Sequence, residues 1–492
     1  MKTLSYQAFR GIEKELSTPL FFGVPLGATL NDILITNFLN GQGNWHWKTR
    51  WLNRALMVRH WLYPRRTKNP SPPPPRGRIL VAWLDATQRL TDIVLPVLQA
   101  LKGDPCAVLC GNPGVTPLVP AGMPCIAWDQ VWSYAVNDWR TEYRRCRPEW
   151  AVRLNSLCRQ FDLLAGAFEQ LTFELMTASQ NVAGCIAFLK AARPAAIVTD
   201  FDRNQQWSCL VLAARLLRIP TVTLVHGVMH EAALGYSPVL ADKIVCWGEF
   251  DREKLLAAGE PPDKILIGGC PRLSRDLSAT AAQGRMKLSL DPQKPVVMFA
   301  TSPEGKRLEL AESFCAAVEK LDFLSGVVRL HPSEKLASYR AIIEKHPRVI
   351  FFESHVATLD ESLAAADMIV VHSSGVGSDA LVKRRPSVVL DFEAQPSGYS
   401  GDLVERAGCP HARTPDELAD ILRRILLDEP FRRQLALAAE HFVESFCSVY
   451  GGESARLIAD IVRQAAKFTE TQCTHNESRQ TNIPGDKVYG FV

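Results

Sequence analysis

Two short runs bring together groups able to hold a phosphate. The first reads Arg329-Leu330-His331-Pro332-Ser333-Glu334. A histidine ahead of a proline-fixed turn can donate a hydrogen bond to a phosphate oxygen or protonate a departing phosphate, and Ser333 is placed to cap a following helix. The competing reading is that Pro332 and Ser333 only start that helix and leave His331 a satisfied surface residue. The second run reads Val371-His372-Ser373-Ser374-Gly375-Val376-Gly377-Ser378-Asp379. Small residues between a buried strand and a helix let the backbone approach an anion, and the free N–H groups of a helix start favour negative charge. A serine-rich cap without a ligand is the alternative. Neither a P-loop lysine nor a GxGxxG fingerprint is present, so a kinase or dinucleotide site is unsupported. The anion-site candidates are Arg329, His331, Pro332, Ser333, Glu334, Ser373, Ser374, Gly375 and Ser378.

Activating a hydroxyl needs a carboxylate or imidazole within reach of its proton. Val198-Thr199-Asp200-Phe201-Asp202-Arg203-Asn204 carries two carboxylates beyond an apolar run, and Asp85 follows the run Ile79 to Leu84. Asp200, Asp202 and Asp85 are the candidate bases and His331 the candidate acid, although each aspartate could instead cap a helix. His226 and Gly227 end another apolar run, and with Arg272 and Thr301 they complete the residues expected along a cleft. The 13 cysteines form no CxxC pair and no His/Cys cluster at zinc-ligand spacing. No metal site, no disulfide framework and no cofactor are therefore expected.

These residues follow apolar runs of strand length, and that placement sets the architecture. Short apolar segments alternate with helical ones, the signature of βαβ units around a parallel sheet. One set of strands is expected at Ile79 to Leu84, Ala107 to Cys110, Ala196 to Thr199, Thr221 to Val225, Lys243 to Cys246 and Lys264 to Ile267. A second is expected at Val296 to Ala300, Gly326 to Leu330, Val349 to Phe352, Met368 to Val371 and Ser387 to Leu390. Ligands of parallel sheets sit beyond the carboxyl ends of the strands, so two such domains share one cleft. The expected fold class is α/β, with two facing Rossmann-like, doubly wound domains. Residues 1–62 form a helical appendage containing Trp45, Trp47, Trp51 and Trp61, and residues 63–77 a Pro-rich linker. Residues 78–273 form the first domain with a helical insertion over 138–191, and 274–294 a connector. Residues 295–468 form the second domain, and 469–492 a polar tail expected to be disordered.

At 492 residues the chain exceeds what one core supports. With 56 basic against 52 acidic side chains the net charge is +4, which does not call for nucleic acid. The basic runs Arg65-Arg66-Thr67-Lys68, Arg144-Arg145 and Lys383-Arg384-Arg385 read first as solvated faces and second as contacts with a membrane or anionic polymer. The N-terminus lacks a basic start followed by an apolar core, and no stretch reaches the roughly 18 apolar residues that span a bilayer. A cytoplasmic location is expected, with peripheral docking on the inner face of the plasma membrane as a further expectation.

The run from Thr199 to Leu273 resembles the second half of the N-terminal domain of GT-B enzymes. The likeness rests on an acidic strand end, a strand ending near His226-Gly227, the stretch Ala241-Asp242-Lys243-Ile244-Val245-Cys246-Trp247-Gly248 and the close Gly268-Gly269-Cys270-Pro271-Arg272. These features are similar to those of bacterial capsule glycosyltransferases and, more distantly, UDP-N-acetylglucosamine 2-epimerases. His331-Pro332 is similar to the HP motif of bacterial sialyltransferases, Kdo transferases and CDP-glycerol polymerases, where it contacts the nucleotide phosphate. Ser373-Ser374 resembles their phosphate-binding serine pair. The resemblance covers residues 200 to 390 well and residues 78 to 135 only in general architecture. It departs from the epimerases, which carry Ser-Gly-Gly and then acidic residues gripping the UDP ribose where this chain has Ser373-Ser374-Gly375-Val376-Gly377.

The resemblance implies a metal-independent GT-B glycosyltransferase. It would take a nucleotide-sugar donor, with the base open between cytidine and uridine and a CMP-linked donor among the expectations. A glycan or lipid-linked acceptor in surface polysaccharide assembly, such as a capsule, is implied. The alternatives are an alditol-phosphate transferase using CDP-glycerol, an epimerase-like enzyme, or a non-catalytic GT-B scaffold.

Overall fold

The computed structural model describes residues 6–31, 34, 52, 54–58, 76–134, 139–163, 166–229, 233, 235–303 and 306–480. Residues 63–75 of the expected linker and Trp45, Trp47, Trp51 and Trp61 lie outside them.

The first sheet has seven parallel strands: β1 (Ile79–Trp83), β2 (Cys106–Cys110), β3 (Cys125–Ala127), β4 (Ala196–Thr199), β5 (Thr221–Leu224), β6 (Lys243–Cys246) and β7 (Ile265–Ile267). Their order is β3-β2-β1-β4-β5-β6-β7, so the winding reverses between β1 and β4, where Ile79 pairs with Ala196 and Ala82 with Thr199. Every residue of β1, β2, β4 and β5 is buried, as a sheet covered on both faces requires. The helices of this half are α1 (Tyr6–Leu16), α2 (Gln88–Ala100), α3 (Trp128–Ser133), α4 (Trp139–Gln160), α5 (Ala167–Ala192), α6 (Gln205–Leu216) and α7 (Glu249–Ala257). The expected helical insertion is the pair α4 and α5. β3 was not anticipated from the sequence, because it is a three-residue edge strand whose first residue is exposed.

The connector is partly helical: α8 (Ala281–Lys287) starts at a capping box formed by Thr280 and Gln283. The second sheet contains β8 (Val296–Ala300), β9 (Ser325–Arg329), β10 (Val349–Phe352), β11 (Met368–Val371), β12 (Ser387–Leu390) and β13 (His411–Ala412). All are parallel in the order β10-β9-β8-β11-β12-β13, which reverses between β8 and β11. Around them run α9 (Arg307–Glu319), α10 (Arg340–Lys345), α11 (Leu359–Ala365), α12 (Val376–Val382), α13 (Gly398–Glu405) and α14 (Pro415–Leu427).

Two final helices alter the expected boundaries. α15 (Glu429–Phe446) carries Phe442 and Phe446 against Phe250 and Trp247 of the first domain, with ring centroids 5.5 and 5.7 Å apart. α16 (Gly451–Gln480) then packs on α2 and β4. There Ser454 Oγ donates to the Gly268 carbonyl at 2.7 Å, and the Arg463 guanidinium reaches Asp104 and the Ala100 carbonyl, both at 2.8 Å. The second domain thus ends near Phe446, and the chain returns to the first. The helix continues to Gln480, into the segment expected to be a disordered tail; residues 481–492 lie outside the described residues.

Candidate functional site

The two winding reversals place the carboxyl ends of β1 and β4 on one side of a cleft and those of β8, β9 and β11 on the other. On the second domain, Thr301 follows β8, and its hydroxyl accepts from the backbone N–H of His331 at 2.9 Å. Glu334 is buried beneath the turn, where it accepts from the Thr301 hydroxyl and from Tyr339 Oη at 2.7 Å and pairs with Arg307 at 3.2 Å. Glu334 and Thr301 are therefore props of the turn and not groups offered to a ligand. His331 itself is half-buried. The backbone N–H of Ser333 donates to its Nδ1 at 3.2 Å. An Nδ1 that accepts forces the proton of the neutral ring onto Nε2, leaving Nε2–H as a donor. Burial lowers the His331 pKa below the ordinary histidine value, opposed by Glu334 and assisted by Arg329 and Arg89. Pro332 and Ser333 are exposed at the mouth of the turn. Arg329 points instead to Ser362 on α11, at 3.3 Å, and burial lowers its pKa.

Across β8 from this turn, Ser373, Ser374 and Gly375 are half-buried between β11 and α12. Ser374 Oγ accepts from the Val376 N–H at 3.3 Å, whereas Ser378 is buried within α12. α13 explains the glycine at 377: a Cβ there would lie 2.6 Å from Leu403 Cδ1. Asp379 is engaged by Arg272 in a bidentate pair at 2.8 and 3.0 Å, so neither group faces a ligand freely.

On the first domain the expected bases separate by burial. Asp200 is 1% exposed, and its two oxygens accept from the Leu84 N–H at 2.7 Å and Trp207 Nε1 at 2.8 Å. Burial pushes its pKa up to about 7 against those two hydrogen bonds, and the nearby Asp85 adds to the rise. Asp202 is equally buried; its Oδ2 accepts from the N–H groups of Leu240 and Ala241, both at 2.8 Å, and burial raises it to about 6. Arg203 reaches Glu13 of α1, and Asn204 caps α6 by accepting from the Trp207 N–H. The run from Asp200 to Asn204 is thus framework, and neither aspartate opens to the cleft. Asp85 alone of the three candidates is partly exposed, at the carboxyl end of β1, where Oδ1 accepts from the Thr87 N–H at 2.8 Å.

Tyr236 Oη stands under the His226-Gly227 turn, accepting from the two backbone N–H groups at 3.3 and 3.1 Å. Burial, with Arg89 nearby, pushes the His226 pKa down to about 3 despite a hydrogen bond to the Asp200 backbone. It is a neutral ring of the cleft wall, edge-on to Phe201 at 4.7 Å.

Arg89 is a residue the sequence reading missed. It is exposed in the first turn of α2, lies against Gly227, and is near enough to depress both His226 on its own domain and His331 on the other. Among the described residues its guanidinium has no hydrogen-bond or ion-pair partner. A signal was present: α2 has no acid in its first turn and instead places a cation at the positive end of the helix dipole. The facing walls are held together by Tyr399 Oη, which donates to the Val228 carbonyl at 2.7 Å, and by Lys254, which bonds Asp402 at 2.5 Å and the Met229 carbonyl at 3.0 Å. Among the described residues no group of three or more His, Cys, Asp or Glu side chains is arranged to hold a metal ion, and no helix is long and apolar enough to cross a membrane.

No family model matches the chain. A lipid-A-disaccharide synthase of Alkalilimnicola ehrlichii is 26% identical over 214 residues, covering 38% of this chain and 55% of that protein, so the chain spans about half the length of this relative. A glycosyltransferase from Rickettsia africae superposes with a TM-score of 0.51 at 12% identity, over 80% of this chain and 99% of that one. The wall teichoic acid polymerase TagF, in a structure with CDPG, gives 0.50 at 12% identity, over 86% and 98%. With two parallel sheets wound in the same order about one cleft, the chain has the GT-B fold.

Proposed function

We propose that the chain is a glycosyltransferase that moves a sugar from a nucleotide-activated donor, seated on the second domain, to an acceptor hydroxyl on the first. The observation that carries this reading is His331 at the end of β9, its Nδ1 engaged and its Nε2–H left as a donor, with Arg89, unpartnered among the described residues, close enough on the opposite wall to depress its pKa. Donors preorganised at the position where negative charge develops are the largest single contribution to such transfers. In the step, the acceptor oxygen bonds the anomeric carbon while the bond from that carbon to the phosphate oxygen breaks. The hydroxyl proton passes to Asp85, and the leaving phosphate is neutralised by Nε2–H of His331, by Arg89 and by the serine loop. These groups do the work a divalent metal would otherwise do. The likeness to a lipid-A-disaccharide synthase supports a lipid-linked or glycan acceptor, which fits surface polysaccharide assembly and peripheral docking at a membrane. The pairing of His331-Pro332 with two serines supports a pyrimidine donor, cytidine or uridine, with a CMP-linked sugar among the candidates.

A second reading, transfer of an alditol phosphate from CDP-glycerol, is favoured by the same His-Pro and serine pair. Incubating the protein with CMP- and UDP-sugars and with CDP-glycerol, then analysing products by mass spectrometry, separates the two. A sugar added without phosphorus supports the glycosyltransferase, and phosphorus retained in the product supports the alternative. Nucleotide binding with no product from any donor would leave the non-catalytic scaffold.

A further inference from the structure

At the amino ends of β8, β11 and β12, on the end of the second sheet opposite the cleft, lies a cavity of about 710 Å³. That volume is in the range of sites for small molecules. Its lining includes Met368, Leu381, Ile425 and Leu435, which give it an apolar surface. The charged lining is unequal: Arg285, Lys294, Arg384, Arg385, Arg432 and Arg433 stand against Asp367, Glu429 and Glu440. Arg285 pairs with Asp367 at 2.7 Å, Arg384 with Glu440 at 3.5 Å, and Arg432 with Glu429. Arg433 is left 3.8 Å from the already engaged Glu429. Arg385 is half-buried, and among the described residues the only hydrogen bond of its side chain runs from Nε to the Leu363 carbonyl, at 3.2 Å. The cavity therefore joins an apolar interior to positive charge that its own carboxylates do not balance.

We propose that this cavity binds an anionic amphiphile, with a phosphate head on Arg385 and Arg433 and an apolar tail against Leu381, Ile425 and Leu435. Its position gives such a ligand leverage. One wall is the interdomain connector, through Arg285 and Lys294; another is α15, which carries Phe442 and Phe446 into the first domain; a third is the end of α12, whose other end holds the serine loop. The occupant would tie together both stretches of chain that cross between the domains.

Decyl phosphate, below its micelle concentration, tests the site on the full chain by calorimetry. Decyl maltoside controls for the tail and inorganic phosphate for the head. Decyl phosphate is expected to bind at least ten times more tightly than either control, and Arg385→Gln with Arg433→Gln to lose that difference. Ala436→Trp, which fills the cavity without touching its charge, is expected to lose binding as well, provided circular dichroism shows the variants folded. Equal binding of decyl phosphate and decyl maltoside, or binding untouched by both sets of variants, overturns the proposal. Co-sedimentation with vesicles containing phosphatidic acid, absent for phosphatidylcholine alone and lost in the arginine variants, would identify the source as a membrane lipid. Binding of decyl phosphate without such co-sedimentation would identify a soluble molecule.

Discussion

At the residue scale, Asp200 and Asp202 are each 1% exposed, whereas Asp85 is partly open at the end of β1. Asp200, Asp202 and Asp85 look alike in sequence, each a carboxylate after an apolar run, yet two are sealed by backbone and indole donors while the third is open. The donors that seal them, Leu84, Leu240 and Ala241, come from other segments, and no local pattern reveals them. Asp200→Asn should therefore destabilise the fold. An amide oxygen can satisfy only one of Leu84 N–H and Trp207 Nε1, leaving the other opposite an NH₂ group, and a buried unsatisfied donor costs about 1–3 kcal/mol. Urea denaturation reads this directly. Asp85→Asn should leave the urea midpoint unchanged and remove turnover; a midpoint shift as large as that of Asp200→Asn would make Asp85 a structural residue too. His331→Ala should lower kcat by roughly 10²–10³, the usual effect of deleting one preorganised donor. Arg89→Ala should act in the same direction with no loss of thermal stability, and a kcat equal to wild type would remove Arg89 from the site.

At the element scale, strand ends were read well because parallel strands are continuous apolar runs, whereas contacts between elements were not readable. Arg272 was expected along the cleft, but it locks the end of β7's following loop to α12 through Asp379. Removing one partner strands a buried charge, so Arg272→Met alone should cost about 3–5 kcal/mol, and Arg272→Met with Asp379→Leu should recover much of the loss. A double variant no more stable than the single one would show that the pair does more than cancel charge. The turn after β5 carries a pH signature. The His226 pKa falls from 6.5 in the ordinary state to about 3 in the folded one, so between those values the unfolded chain binds a proton that the folded chain refuses. The stability from this group is complete above pH 6.5 and is lost as pH falls toward 3. Asp200 and Asp251, raised from 3.8 to about 7 by burial, act in the opposite sense and favour the fold at low pH. The His226 contribution is therefore read as a difference: as pH drops from 6.5 to 4, the urea midpoint of His226→Gln should gain on that of wild type. Parallel pH profiles would mean that His226 already titrates normally.

At the scale of the whole molecule, the two parallel sheets followed from βα alternation alone. The return of the chain did not, because α15 and α16 read only as amphipathic helices, and nothing local says which domain each helix covers. That return makes both domains depend on one another: α16 belongs to the first core, and α15 bridges the two. In the proposed reaction a nucleotide phosphate sits between His331 and the serine loop on the second domain. The most direct test is the melting temperature of the full chain in EDTA with CMP, CDP, UDP and GDP, repeated for His331→Ala and for Ser373→Ala combined with Ser374→Ala. A ligand that binds the folded state raises the midpoint. The predicted result is stabilisation by a cytidine or uridine nucleotide that disappears in both variants. No shift with any nucleotide, or a shift that both variants retain, would contradict it.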